Sequence, residues 1–175
     1  MKTETADFLA TLKTYNPCVA AFKFASQFDS WQAAWDACER GDWMLWIIAK
    51  TTKPTDDRKP IVRVACACAR LALPYTKDPR VLACIETTEA WTRGEATTEE
   101  VRIVRNGAYD AAYAAAYAAA DAAYAAYAAA DADAAYADAD ADAAYAADAR
   151  QRIQKQCAEI VRLSYPTAPT LTKLR

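Results

Sequence analysis

The apolar residues of this chain recur at helical spacing, and no alternating apolar and polar run of strand length competes with them. Two stretches, WMLWIIA from Trp43 and IVRVACACARLAL from Ile61, are apolar on nearly every side. Helices of that kind are buried, so these two are expected to form the core. The pattern predicts an all-α fold, a compact multi-helix bundle with residues 1–165 as a single helical domain and residues 166–175 as a C-terminal tail.

Cap and turn residues mark where the predicted helices begin and end. The first helix should stop at Asn16-Pro17, because the residue before proline is pushed out of the α region. Asp29 or Ser30 is predicted to open a helix that ends at Gly41, and Asp42 to cap the helix after it. Pro60 fits the first turn of a further helix, and Asp78-Pro79 is predicted to open a helix that ends at Gly94. Residues Thr97 to Glu100 have the spacing of a capping box.

The stretch from Ala108 to Ala149 consists almost entirely of Ala, Tyr and Asp, with no glycine or proline. Alanine has the highest helix propensity, so the composition predicts a long helical segment rather than a flexible linker. As one helix, residues 107–149 would span about 65 Å, against a radius of gyration of about 16 Å for a globule of this length. We therefore expect at least one break between Asp131 and Asp142, since Asp favours helix starts.

Charge is distributed unevenly along the chain. Residues 107–149 carry eight Asp and no Lys or Arg, whereas residues 150–175 carry six basic residues and Glu159 as the one acidic residue. An acidic surface of this kind argues against direct nucleic-acid binding. No secretory leader and no long apolar stretch is recognised in the sequence, which predicts a cytoplasmic protein of a bacterium or of a phage-infected host cell, with no membrane association.

The composition also excludes much chemistry. The chain has no histidine, so nucleophilic sites built on Ser-His or Cys-His are impossible, and its three glycines provide no phosphate-binding loop. The six cysteines are interpreted as reduced, buried, apolar residues. We expect no catalytic residue, no metal site and no cofactor.

Three stretches together resemble a known family: CERGDWMLWIIAK (38–50), VRVACACARLALPY (62–75) and RVLACIETTEAWTRGEATTEEVR (80–102), followed by the Ala/Tyr-rich segment. They resemble the immunity proteins attached to bacterial polymorphic-toxin systems, a family also found on phage genomes. The resemblance covers roughly Ser30 to Arg162. It implies an intracellular, non-catalytic, all-helical protein that binds and inactivates a toxic effector, without identifying the effector.

Two functional hypotheses follow. In the first, the protein neutralises a bacterial toxin or effector protein by covering its basic groove with an acidic surface that tyrosines interrupt, since Tyr supplies rigid apolar area at interfaces. The candidate residues are Tyr113, Tyr117, Asp121, Tyr124, Asp131, Asp138 and Asp142. The same alanine-rich helix could alternatively pack against its symmetry mate in a homodimer.

In the second hypothesis, the protein is a phage anti-defence sponge that sequesters a cyclic or ADP-ribose-derived nucleotide. Aromatic rings would stack on the base and arginines would hold the phosphates; the candidate residues are Arg40, Asp42, Trp43, Arg63 and Arg70. Arg63 and Arg70 share a face of one predicted helix. These two arginines are expected to pair with carboxylates such as Asp36, Glu39 or Glu86. Glu89 and Arg93, four residues apart, are expected to form a local pair on one helix.

Overall fold

The computed structural model describes residues 2–53, 55–108 and 133–172, with side chains described for residues 7–53, 55–108 and 147–172. These residues form eight α-helices and one short 3-10 turn, Leu73–Tyr75, and no strand occurs among them. The helices are α1 Lys2–Thr14, α2 Val19–Ala25, α3 Trp31–Ala37, α4 Gly41–Thr51, α5 Lys59–Arg70, α6 Pro79–Arg93, α7 over residues 98–108, and α8 Asp133–Ser164. The predicted all-α class is confirmed.

Most helix ends lie where the cap residues predict them. Ser30 caps α3 by accepting a hydrogen bond from the Ala33 amide, and Asp78 caps α6 in the same way from the Arg80 amide. Gly94 ends α6 in the left-handed conformation, with φ 84°. The capping box before α7 is complete, because the Thr97 amide donates to Glu100 and the Glu100 amide donates to the Thr97 hydroxyl.

The boundary between α3 and α4 differs from the prediction. The helix that begins after Ser30 ends at Ala37 rather than at Gly41, and Gly41 is the first residue of α4. Asp42 is the second residue of α4 and not its cap, which is Arg40, and the Asp42 amide donates to the Gln154 side chain at 3.1 Å. The reason is tertiary: the N-terminus of α4 lies directly against α8, and a Cβ on Gly41 would lie 2.3 Å from the Cβ of Cys157.

Two compact units make up the chain: Met1–Cys68 with Gln154–Arg175, and Ala69–Ile153. The core of the first unit contains Trp35, Met44 and Val161, each almost completely buried. Both helices predicted to be central contribute to it, α4 through Met44, Ile47 and Ile48 and α5 through Val64, Cys66 and Cys68. That prediction is confirmed for the first unit.

The second unit contains α6 and α7. Within it, Ile85 and Thr92 of α6 are buried. A Cβ built on Gly107 of α7 would lie 3.9 Å from the Arg80 side chain. Residues at the surface of this unit include Tyr75, Leu82 and Ile103, whose exposed fractions exceed a third.

Helix α8 is unbroken over 32 residues. The expected break between Asp131 and Asp142 is therefore wrong from Asp133 onward, and the two residues before it lie outside the described part of the chain. The physical reason is that alanine occupies most positions around the aspartates, so its propensity outweighs the tendency of Asp to interrupt a helix. The tyrosines and aspartates proposed at 113, 117, 121, 124 and 131 also lie outside the described residues.

Candidate functional site

Three of the predicted site residues meet at the start of α4. The Arg40 guanidinium binds Asp42 with two hydrogen bonds, Nε to Oδ1 at 2.9 Å and Nη2 to Oδ2 at 2.6 Å. It also lies 4.4 Å from the centre of the Trp43 ring, a cation–π distance. The hydrogen bond that Arg40 donates to Asp42 raises the pKa of Arg40 above its usual value. The three residues lie together, and the cation of Arg40 is already paired with the Asp42 carboxylate.

The other two predicted arginines have separate surroundings. Arg70 pairs bidentately with Glu89, at 2.7 and 2.6 Å, and this contact is the main reason why the pKa of Glu89 is lowered. The expected partners Asp36, Glu39 and Glu86 are wrong for Arg70, because the side chain reaches α6 instead. The expected Glu89–Arg93 pair is also wrong, since Arg93 binds Glu95.

Arg63 is exposed on α5, and it acts electrostatically on Tyr165. Burial is the larger influence on Tyr165 and raises the pKa of its hydroxyl, while Arg63 opposes that increase. Within the described part of the chain, no carboxylate lies within salt-bridge distance of Arg63. Of the three arginines proposed to hold phosphates, two are thus occupied by carboxylates.

An apolar cavity lies among the aromatic residues of the first unit, with Phe24, Trp31, Trp35 and Trp43 in its wall. Its volume is about 40 Å³, which accommodates only a few water-sized groups, whereas small-molecule pockets usually measure about 300–1,000 Å³. In this conformation the cavity is too small to enclose a nucleotide base. Trp35 is almost fully buried, while Trp31 and Trp43 are half-buried.

The acidic half of α8 carries five Asp and no basic residue between positions 133 and 149. At about 100° per residue, Asp138 and Asp142 fall within roughly 40° of each other and share a side of the helix with Ala149, which is buried. By the same register, Asp133 and Asp140 fall on the opposite side, and the exposed Asp148 lies between the two sides, roughly 80° from both Asp138 and Asp140. Four of these aspartates therefore form two pairs on opposite sides of one continuous helix, with Asp148 between them.

The buried thiols are held in their protonated form. Burial raises the pKa of Cys38 and of Cys157, and it is the main reason why the pKa of Cys68 rises to about 12. The Cys68 and Cys157 sulfurs each lie within 4 Å of the other residue's carbonyl oxygen. All six cysteines are free thiols, as predicted, but the expectation that all six are buried is wrong for Cys18, which is exposed, and for Cys84, which is half-buried. Thiols in this state are poor nucleophiles.

A contact that the sequence analysis did not predict joins the segment after α8 to α3 and to Tyr15, the residue after α1. The Trp35 and Trp31 indoles donate to the carbonyls of Tyr165 and Pro169, at 3.0 and 2.9 Å. Gln32 exchanges hydrogen bonds with the Pro166 carbonyl and the Ala168 amide. The segment predicted to be a tail is thus held in place, and the spacing of its two prolines was the sequence feature that could have indicated it.

A comparison of the chain with protein families, with curated proteins and with solved structures finds no match. The resemblance to immunity proteins therefore remains a prediction. Among the described helices, none combines the length and the apolar character that crossing a membrane requires. In the described part of the chain, no three His, Cys, Asp or Glu side chains come close enough to hold a metal ion.

Proposed function

We propose that the protein is a non-catalytic immunity or neutralising protein, which binds a basic toxic effector protein through the acidic half of α8. The single observation that carries the proposal is the continuity of this helix. Five Asp without a basic residue lie on an unbroken α-helix whose C-terminal part is anchored by Cys157, Ala158 and Val161, all buried. A rigid helix presents its charges at fixed spacing, which favours electrostatic steering of a cationic partner.

The pairing of the arginines supports this proposal over the nucleotide sponge. A nucleotide phosphate would have to displace Asp42 from Arg40 and Glu89 from Arg70, and both carboxylates bind through two hydrogen bonds. Displacing a bidentate partner costs the ligand part of its own binding free energy. The small apolar cavity provides no stacking site for a base.

Two matched double substitutions test the proposal. Asp133→Asn with Asp140→Asn removes two charges from the side of α8 opposite Ala149, and Asp138→Asn with Asp142→Asn removes two charges from the side shared with Ala149. We expect the first pair to slow association with a cationic toxin domain by about two- to tenfold at low salt and to flatten its salt dependence, because surface charge mainly governs encounter. The second pair should have a smaller effect.

The assay measures association rates by surface plasmon resonance, with a panel of basic bacterial toxin domains and with cyclic and ADP-ribose-derived nucleotides as separate analytes. Circular dichroism of each variant checks that α8 remains helical. Equal effects of the two aspartate pairs would contradict the assignment of the binding side. Tight nucleotide binding that is lost in Arg63→Ala would contradict the proposed function and support the sponge.

A further inference from the structure

Two buried thiols, Cys68 on α5 and Cys157 on α8, lie against each other in the first unit. The Cys68 sulfur lies 3.8 Å from the Cys157 carbonyl oxygen, and the Cys157 sulfur lies 3.9 Å from the Cys68 carbonyl oxygen. Each side chain thus reaches across to the backbone of the other residue, which places the sulfurs side by side. Burial is the main influence on the pKa of both thiols, and a hydrogen bond between the two side chains is a further one, so the thiols are in direct contact.

The two cysteines stand near the ends of the two chain segments that build the first unit. The chain leaves this unit after Cys68 and returns to it at Gln154, three residues before Cys157. The pair is separated by 89 positions in sequence, and nearly all of the residues between them belong to the second unit. A covalent bond at this point would close that whole stretch into a loop and join the two segments of the first unit to each other.

Close packing leaves the two side chains little freedom to separate. A Cβ built on Gly41 would lie 2.3 Å from the Cβ of Cys157, so α4 packs against the same turn of α8. Ala158, the next residue, is fully buried, and so is Val64, one turn before Cys68. A disulfide requires Cβ atoms about 3.5–4.5 Å apart and sulfurs about 2.05 Å apart. Two residues that already touch through side chain and main chain need only a small adjustment to reach this geometry.

We propose that Cys68 and Cys157 form a disulfide bond under oxidising conditions, and that this bond locks together the two chain segments of the first unit. The co-reactant is a low-molecular-weight disulfide such as oxidised glutathione. One protein thiolate attacks a sulfur of the oxidant and releases the first glutathione thiolate; the other protein thiolate attacks the mixed disulfide and releases the second. Two protein thiols thus lose two protons and two electrons, which convert one glutathione disulfide into two thiols. The proposal is independent of the function assigned to the acidic half of α8.

Burial makes the formation of this bond slow and its reduction equally slow. Because burial raises the pKa of Cys68 to about 12 and also raises that of Cys157, thiolates are scarce at neutral pH. The oxidant reaches the sulfurs only when the contact between α5 and α8 opens locally. A reductant meets the same barrier once the bond has formed. The lock therefore responds to sustained oxidation and persists after it, whereas an exposed thiol such as Cys18 responds at once.

The first experiment oxidises the folded full chain with oxidised glutathione at pH 8 and follows it by intact mass spectrometry. The background protein carries Cys18→Ser and Cys84→Ser, which remove the exposed and the half-buried thiol and so prevent mixed disulfides there. We expect a species lighter by two hydrogen atoms, and a non-reducing proteolytic digest should contain a peptide pair that joins Cys68 to Cys157. Urea below the unfolding transition should accelerate its formation about tenfold, because urea favours local opening.

Cys66→Ala is the matched control. Cys66 is also buried on α5, but at about 100° per residue it lies roughly 160° around the helix from Cys68. This variant should form the disulfide as the background protein does, whereas Cys68→Ala and Cys157→Ala should abolish it. The oxidised background protein should melt about 10 °C above its reduced form, since the bond closes a loop of about 90 residues. Oxidation should leave the melting temperature of Cys68→Ala unchanged.

Refolding from urea in a buffer of oxidised and reduced glutathione removes the barrier of burial, and so separates slow access from unsuitable geometry. The disulfide between Cys68 and Cys157 should be the main product. A refolded protein in which these two residues are unlinked, or are paired with other cysteines, would overturn the proposal. A linked protein that melts at a lower temperature than the reduced protein would overturn it as well, because the helices would then have to move apart to accommodate the bond.

Discussion

Replacing Gly41 with alanine tests the close approach of α4 and α8 inside the first unit. A Cβ built on Gly41 lies 2.3 Å from the Cβ of Cys157, 2.8 Å from its carbonyl carbon and 2.9 Å from the Ala158 amide nitrogen. Two of these three atoms belong to the α8 backbone, which cannot move aside as the end of a side chain can. Gly41→Ala therefore requires a shift of more than about 1 Å between two helices that are packed at core density.

The expected cost is about 2 kcal/mol or more, since overpacking of a core typically costs about 1–3 kcal/mol. Gly41 is the first residue of α4, where the helix propensity of alanine offsets little of that amount. For a chain of this length, 2 kcal/mol corresponds to a decrease of about 4–8 °C in the melting temperature. In urea, the midpoint should fall while the slope of the unfolding free energy stays unchanged.

Gly107→Ala is the matched control. Gly107 also lies in a helix, but the nearest atom to its built Cβ is the Arg80 side chain at 3.9 Å, an ordinary contact. Alanine there should stabilise the protein by about 0.5–1 kcal/mol, through helix propensity alone. Urea unfolding monitored by circular dichroism at 222 nm compares the two variants. A Gly41→Ala protein as stable as the unmodified chain would refute the assignment of this contact.

The remaining predictions concern ionisable groups. Cys18 is exposed, whereas burial raises the pKa of Cys68 to about 12. Ellman's reagent at pH 8 should therefore modify Cys18 about a thousandfold faster than Cys68 in the native protein, and both thiols equally in urea. Comparable rates in the native protein would show that the Cys68 thiol, which lies against Cys157, is accessible to the reagent. Hydrogen bonds from Arg80 lower the pKa of Asp78 from 3.8 to about 2. Because the folded value is depressed, Asp78 stabilises the protein fully above about pH 4, and that contribution is lost as the pH falls toward 2. Asp78→Asn should reduce the decline in the urea midpoint over this range, and an unchanged decline would contradict the assignment.

The sequence predicts those parts of the fold that depend on short-range chemistry. Ser30 and Asp78 occupy their predicted cap positions because each side chain accepts from an amide two or three residues away, and Gly94 does so because glycine adopts the left-handed conformation readily. The apolar stretches that become α4 and α5 are recognisable for a similar reason, since a helix without a polar face has to be buried.

The errors concern residues whose neighbours come from distant parts of the chain. Gly41 was interpreted as a helix end, but it begins α4, because α8 leaves no space for a side chain at that position. Glu89 was paired with Arg93, four residues away, yet it binds Arg70, which is nineteen residues away. Spacing along one helix gives no information about such partners. The candidate site shows the same limit. The sequence named Arg40, Asp42 and Trp43 as candidate residues, but it did not indicate that Asp42 forms an ion pair with Arg40.

The contact between residues 165–172 and the side chains of Tyr15, Trp31, Gln32 and Trp35 uses different chemical groups on its two sides. One side contributes particular side chains, and the other contributes mainly peptide groups, which every residue possesses. In a saturation mutagenesis experiment, most substitutions at Trp31 and Tyr15 should therefore reduce stability. Most substitutions at Thr167 and Thr170, whose side chains are exposed, should be tolerated. The exposed threonines consequently offer sites where a chemical label or a short tag can be attached while the segment keeps its path.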